Sequence, residues 1–134
     1  MTHQHILNRA AQSVLLAACI TALIACMHGT GNCHGNLEIP DTIHHFGDLR
    51  LNTGYSTHRF WIFNRSEKNL VVLNAEPSCS CMKACYSRDV AVKDDSLWVD
   101  VSFDTNEYLG DFSKSVNVRT TLGNFSLRID GFVE

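Results

Sequence analysis

Strict alternation of apolar and polar side chains is the feature that most limits the folds open to this chain. Between residues 97 and 103, leucine, valine and phenylalanine at the odd positions alternate with Trp98, Asp100 and Ser102. Residues 125–133 repeat the pattern, with Gly131 as a possible bulge. Because successive side chains of a strand point to opposite faces, this alternation predicts strands with one face packed on a core. No apolar stripe of period 3.6 and useful length occurs, so the sequence predicts an all-β protein.

Seven segments have the composition of strands, and turn-forming residues separate them. The segments are residues 36–39, 42–46, 58–64, 70–75, 97–103, 114–120 and 125–133. Short strands at spacings of about 8 to 12 residues are typical of a β-sandwich. In the run RFWIFN both faces are apolar, which predicts a central strand covered on both sides. Residues 79–91 fit no strand well and are predicted to form a loop with one helical turn.

The first 25 residues have the features of an export signal. A polar start, whose only charge is Arg9, precedes an apolar run at residues 14–25. This run is shorter than the roughly 20 apolar residues of a comfortable membrane span. An N-terminal membrane helix that is never cut is the alternative, and both interpretations place the rest of the chain outside the cytoplasm.

The end of the apolar run contains a candidate lipidation site. Leu23-Ile24-Ala25-Cys26 resembles the lipobox of bacterial lipoproteins, in which the cysteine receives acyl chains such as palmitate and becomes the first residue. A second match ends at Cys19, but cleavage there would leave an apolar start, so Cys26 is preferred. We therefore predict a signal peptide at 1–25, a lipidated Cys26 with a flexible tether to residue 36, and one domain at 37–134. The tether would span about 17 Å.

Composition narrows the possible functions. Removing 25 residues from 134 leaves 109, the size of one domain. The net charge of −3 becomes −4 without Arg9, and no basic stripe is present, which argues against a nucleic-acid partner. The sequence shows no Ser/His/Asp grouping, no phosphate loop and no convincing acid–base pair. We expect a protein without enzymatic activity and without a cofactor.

Four thiols remain after the predicted processing, and they allow three complete pairings. They belong to Cys33, Cys79, Cys81 and Cys85. Exported proteins occupy oxidising compartments, which favours disulfides. Cys79 and Cys81 can bond only in a sharp turn, whereas Cys81 and Cys85 could meet across one helical turn. A bond from Cys33 to Cys79 would close a 47-residue loop and stabilise the fold by up to roughly 4 kcal/mol.

Metal binding or thiol redox chemistry is the alternative use of this cluster. The thiolates of Cys79, Cys81 and Cys85, completed by His28 or His34, would suit copper(I) or zinc. The spacing C-x-C-x3-C is weaker support than paired C-x2-C knuckles. The remaining histidines are less informative. His44-His45 lies in an alternating strand, which predicts one inward and one outward ring used for packing, and His58 is predicted to be exposed.

Several short motifs occur in the order that characterises a known bacterial family. They are Phe46-Gly47, Phe63-Asn64, Ser78-Cys79-Ser80-Cys81, Phe103-Asp104, Gly110-Asp111-Phe112-Ser113-Lys114 and Gly131. Together they resemble the secreted and lipoprotein family called domain of unknown function 1573, over about residues 43–133. Ser80 stands where the family has glycine, and Met82 stands where it has threonine.

The resemblance implies an immunoglobulin-like β-sandwich of about seven strands in the envelope of a Gram-negative bacterium. It implies no known reaction. With the predicted lipid on Cys26, we expect an outer-membrane lipoprotein that faces the periplasm or the cell surface. The predicted function is a binding or assembly module, and its partner would be an unidentified envelope protein or glycan. The alternative remains a copper, zinc or thiol-redox protein that uses Cys79, Cys81 and Cys85.

Overall fold

The alternating segments form two β-sheets that pack against each other. This arrangement comes from a computed structural model, which describes residues 32–34 and 36–134. Nine strands lie in the described residues. They are β1 (Asn32–His34), β2 (Leu37–Ile39), β3 (Ile43–Leu49), β4 (Tyr55–Asn64), β5 (Val72–Pro77), β6 (Met82–Tyr86), β7 (Ser96–Asp104), β8 (Gly110–Thr120) and β9 (Gly123–Val133). The prediction of an all-β fold is confirmed.

The sheets divide the strands unequally. One sheet has the order β1-β2-β4-β7-β6 and the other has the order β3-β9-β8-β5. Neighbouring strands are antiparallel except for β3 and β9, which are parallel. The immunoglobulin-like sandwich is confirmed, and each of the seven predicted strands is present. The described residues contain no helix long and apolar enough to cross a bilayer.

Two strands lie in segments that were not predicted to be strands. β1 falls inside the predicted tether, where Cys33 is paired with Glu38 of β2. β6 replaces the predicted loop and helical turn at 79–91, so that prediction is wrong for residues 82–86. The alternation was present in β6, since Met82 is buried while Lys83 and Cys85 are exposed. The strand was missed because it is short and only one of its side chains, that of Met82, is buried.

The core lies between the sheets and joins them through aromatic stacking. Phe103 of β7 and Phe112 of β8 belong to different sheets, and their rings stack with centroids 3.9 Å apart. Tyr108 meets both rings edge-on. The inward side chains of the long strands complete the core: Phe60, Ile62, Leu97, Val99, Val101, Val116, Val118, Leu127, Ile129 and Val133.

Gly131 permits a close approach of β3 rather than a bulge in its own strand. A Cβ atom at Gly131 would lie 2.8 Å from the carbonyl oxygen of Gly47 and 2.9 Å from Cζ of Phe112. The register of β8 with β9 is continuous, so the predicted bulge at Gly131 is wrong. The extra residue lies in β3, between His45 and Asp48, where Gly47 adopts a positive φ of 69°.

Candidate binding surface

The outer side of the five-stranded sheet carries a row of large aromatic side chains, two of them exposed and two half-buried. Tyr55 and Trp61 of β4 are 48% and 45% exposed. Phe63 follows on the same side of β4, and Trp98 of β7 lies directly opposite Trp61 in the strand register. We call Tyr55, Trp61, Phe63 and Trp98 the aromatic face. Alternation explains it, because the residues between them, such as Phe60 and Ile62, are buried in the core.

The prediction that both sides of this strand are covered is wrong. β4 is the central strand of its sheet, but among the described residues only its inner side packs against the core. Arg59 occurs in phase with Trp61, and Asp100 occurs in phase with Trp98. These charged residues were the signal in the sequence that this side of the sheet faces solvent.

A salt bridge fixes the middle of the aromatic face. Arg59 donates two hydrogen bonds to the carboxylate of Asp100, at 2.6 and 2.7 Å. The guanidinium lies 4.2 Å from the ring centroid of Trp98 and 5.9 Å from that of Trp61. The bidentate geometry fixes the orientation of the guanidinium plane. The guanidinium of Arg59 therefore lies against Trp98 and beside Trp61.

The two ends of the aromatic face are also paired with cations. The ammonium of Lys83 lies 4.1 Å from the ring centroid of Tyr55. The guanidinium of Arg65 lies 5.5 Å from the ring centroid of Phe63 and donates to Glu38 at 2.6 Å and to Asp94 at 3.1 Å. Each aromatic residue of β4 on this side of the sheet is thus next to a cation, and carboxylates pair with the two arginines. The face combines stacking surface with hydrogen-bonding groups.

A cavity of about 380 Å³ adjoins Trp61 where β2 leaves the edge of β4. Its lining comprises Pro40, Asp41, His58, Arg59, Phe60, Trp61 and Phe63. Aromatic walls with a few polar groups are typical of binding sites. A cavity of about 400 Å³ on the other sheet is lined mainly by exposed amide and charged side chains, as on an ordinary solvated sheet. We therefore take the cavity beside Trp61 as part of the candidate site.

Two histidines stack behind this cavity, at the junction of the sheets. The rings of His44 on β3 and His58 on β4 lie 3.6 Å apart and nearly parallel. Each also meets a phenylalanine edge-on, at 4.6 and 4.7 Å. His44 packs inward and His45 outward, where His45 pairs with Asp130, as the alternation predicted. The prediction that His58 is exposed is wrong, because His44 covers its ring.

Burial lowers the pKa of both stacked histidines below their usual 6.5, and the positive charge that a neighbouring imidazole would carry lowers it further. That neighbour is His45 for His44, and His44 for His58. Carboxylates act in the opposite direction. Asp41 raises both pKa values, while Asp130 acts on His44 and Asp100 acts on His58. The net lowering means that the stacked pair is neutral at neutral pH.

Acid should therefore weaken the fold through this pair. A group whose pKa is lower in the folded chain binds its proton more readily in the unfolded chain. The stability contributed by the neutral pair is complete above pH 6.5 and is lost as the pH falls from there through the lowered folded pKa values. We expect the urea midpoint to fall more steeply between about pH 7.5 and about pH 5.5 in the wild type than in a His44→Gln/His58→Gln variant. Equal slopes would show that the pair does not control acid stability.

The three cysteines of the predicted cluster, Cys79, Cys81 and Cys85, do not converge on one point. Cys79 and Cys81 form a disulfide with Cα atoms 5.3 Å apart, in a turn where the Met82 amide donates to the Cys79 carbonyl at 3.3 Å. Cys85 is a free, exposed thiol on β6. Cys81 lies just before β6, and the extended backbone of β6 carries Cys85 about 13 Å away from it. The three sulfurs of the alternative metal site therefore do not meet in this structure.

Four other predicted site residues have no described side chain: the lipidation site Cys26, the disulfide candidate Cys33, and the candidate ligands His28 and His34. Cys26 and His28 lie outside the described residues, and only the backbone is described at Cys33 and His34. Among the residues that the structure describes, no group of three histidine, cysteine or acidic side chains could hold a metal ion.

Comparison with known proteins agrees with this fold. Among solved structures, a protein of unknown function from Porphyromonas gingivalis W83 is similar with a TM-score of 0.63 and 12% identity, over 72% of this chain and 46% of that chain. The Vibrio cholerae proteases VesB and VesC are similar with TM-scores of 0.56 and 0.54 and identities of 16% and 15%. The match covers 73% of this chain but only 32% of VesB and 23% of VesC. At these identities the likeness concerns the fold alone.

The family resemblance seen in the sequence is confirmed. No curated protein matches the chain. A family model of proteins of unknown function, DUF1573, matches residues 37–133, which include every strand from β2 to β9. This chain therefore belongs to the DUF1573 family of proteins of unknown function.

Proposed function

We propose that this protein is a non-enzymatic binding or assembly module of the cell envelope. In this proposal a lipid on Cys26 holds the chain at the membrane, and the aromatic face contacts an envelope partner. The observation that carries the proposal is the exposed indole of Trp61, which lies next to a cavity and 5.9 Å from the guanidinium of Arg59. A tryptophan in this position is costly to leave in water unless a partner covers it.

The composition of the aromatic face also supports binding. Tryptophan, tyrosine and arginine are the residues that most often dominate the binding energy of protein interfaces. Here these residue types lie on adjacent strands, where the backbone ladders fix their positions. The salt bridge between Arg59 and Asp100 restricts the guanidinium before any partner arrives. Less side-chain freedom is then lost on binding.

Substituting Trp61 with alanine tests the proposal. We expect the immobilised Trp61→Ala domain to capture its envelope partner from solubilised envelopes about thirtyfold more weakly, since a central tryptophan contributes roughly 2 kcal/mol or more to binding. Quantitative mass spectrometry of the captured material measures the change. The fold should stay intact, because Trp61 lies outside the core.

Phe132→Ala is the matched control. Phe132 is an aromatic residue of β9 in the other sheet with similar exposure, 39%. We expect this variant to retain the captured component. Equal capture by wild type and Trp61→Ala would contradict the role of the aromatic face.

A further inference from the structure

The edge of β4 next to the cavity has no neighbouring strand among the described residues. On one side, β4 pairs with β7 without interruption from Tyr55 to Phe63. On the other side, β2 pairs with β4 only at Phe63 and Asn64. The stretch from Tyr55 to Trp61, about 20 Å of extended backbone, therefore has a partner strand on one side only.

The hydrogen bonds of β4 show which groups point toward this edge. The amide of Asn64 donates to the Asp95 carbonyl, at the β7 side, at 2.9 Å. The amide of Arg65 donates to the Asn36 carbonyl, at the β2 side, at 3.0 Å. Backbone groups of successive residues alternate between the two sides of a strand. Without a bulge in the register, the odd residues from Tyr55 to Trp61 direct their N–H and C=O groups to the open edge.

Pro40 explains why the existing ladder stops. If β2 continued, its next hydrogen-bonded residue opposite Trp61 would be residue 40, which is proline and has no N–H to donate. The chain instead crosses to the other sheet and begins β3 at Ile43, with the cavity left between Pro40 and Trp61. β2 thus pairs with only the end of this edge of β4, and no other described segment pairs with the rest of it.

We infer that the β4 edge from Tyr55 to Trp61 binds an extended peptide segment of the partner as an additional strand. The inference rests on the proposed function and names the class of its partner. Backbone donors and acceptors that repeat every second residue match another strand, because only a strand presents complementary groups at that spacing. The ladder already formed between β2 and Phe63 provides the geometry to continue.

The surroundings of the edge also restrict the peptide sequence. Side chains on directly opposed residues of paired strands lie on the same side of the sheet. Peptide residues opposite Arg59 and Trp61 would therefore lie on the aromatic face, where apolar or aromatic side chains fit. Residues opposite His58 would point inward, where the ring of His44 already occupies space. We expect small side chains at those alternate positions.

Thr57→Pro separates backbone pairing from other modes of binding. The substitution removes an N–H that faces the open edge, places a ring against an incoming strand, and leaves the ladder with β7 intact. Thr57→Ala is the matched control, since both variants lose the hydroxyl contact between Thr57 and Ser102. The probes are random peptides of about ten residues, selected by display on the wild-type domain and then synthesised.

Strand addition predicts a Kd at least roughly tenfold weaker in Thr57→Pro and nearly unchanged in Thr57→Ala. The peptide should also slow amide hydrogen exchange at Thr57, Arg59 and Trp61 of the wild type. Methylating alternate peptide nitrogens on the edge-facing side should abolish binding, which requires no variant to fold. Equal affinity for Thr57→Pro and Thr57→Ala, or unprotected amides, would overturn the inference.

Two further results would assign the edge to another occupant and overturn the inference. Sedimentation that shows a dimer dissociated by Thr57→Pro would assign the edge to a second copy of this chain. Capture of a glycan that is insensitive to Thr57→Pro would assign the aromatic face to a sugar. If Trp61→Ala loses the envelope partner while Thr57→Pro retains it, the proposed function stands and the strand inference fails.

Discussion

Replacing Phe103 with alanine is expected to lower the free energy of unfolding by about 3–5 kcal/mol. The ring is fully buried and stacks on Phe112 of the opposite sheet with centroids 3.9 Å apart. Truncation leaves a cavity between two sheets whose strands are held by continuous ladders, so the surrounding structure cannot collapse to fill it. Urea unfolding followed by circular dichroism measures the loss.

Phe132→Ala again provides the control for this prediction. Its ring is 39% exposed, and we expect it to change the free energy of unfolding by less than about 1 kcal/mol. If the two variants lose similar stability, the stack between the sheets is not the main support of this part of the core.

Replacing Asn64 with alanine is expected to cost about 2–4 kcal/mol of unfolding free energy, although the residue is polar. Its amide is completely buried and donates to the carbonyls of Lys68 and Ala91, at 2.8 and 3.0 Å. Its side-chain oxygen accepts from the Ser66 amide at 2.9 Å. Alanine would leave the buried Ser66 amide without its partner. It would also remove one of the two hydrogen bonds accepted by each of the Lys68 and Ala91 carbonyls.

Asn124→Ala is the matched control for Asn64, because Asn124 is exposed at the start of β9. Its loss should change the urea midpoint little. A midpoint for Asn64→Ala within the error of the wild type would show that water replaces the buried amide. That result would contradict a structural role for this asparagine.

The sequence predicts the sandwich well because its physical basis is local. The alternation in residues 97–103 predicts which side chains enter the core, and the side chains of β7 are buried at every second position along its whole length. The family motifs mostly mark structural positions. Phe103 and Phe112 stack across the core, Asn64 closes the turn after β4, and Gly131 admits the backbone of Gly47.

The candidate site was harder to predict, since it depends on which strands become neighbours. Trp61 looked like a core residue until the structure showed that nothing in the described chain packs on its side of the sheet. His44 and His58 stack although their strands belong to different sheets. The pattern of residues within one strand cannot predict a contact of this kind. The register that opposes Trp61 to Trp98 is also a property of strand pairing.

The cysteine cluster shows a similar limit. Ser80 stands where the family has glycine, yet Cys79 and Cys81 still approach closely enough to bond. The turn is closed by a hydrogen bond between the backbone groups of Cys79 and Met82, and the strand that follows carries Cys85 away. The spacing of the cysteines alone could not distinguish this arrangement from a shared metal site.

Pro40 has a consequence for how recognition by this domain could evolve. A proline at this point ends β2 without altering the side chains that β4 presents on the aromatic face. Main-chain groups of β4 are then available whichever side chains the odd positions carry. Under the proposed strand addition, relatives could diverge at residues 55 and 57 and keep this edge, whereas a residue with an N–H at position 40 would allow β2 to extend along it. Specificity and the capacity to bind would therefore be encoded at different positions in the sequence.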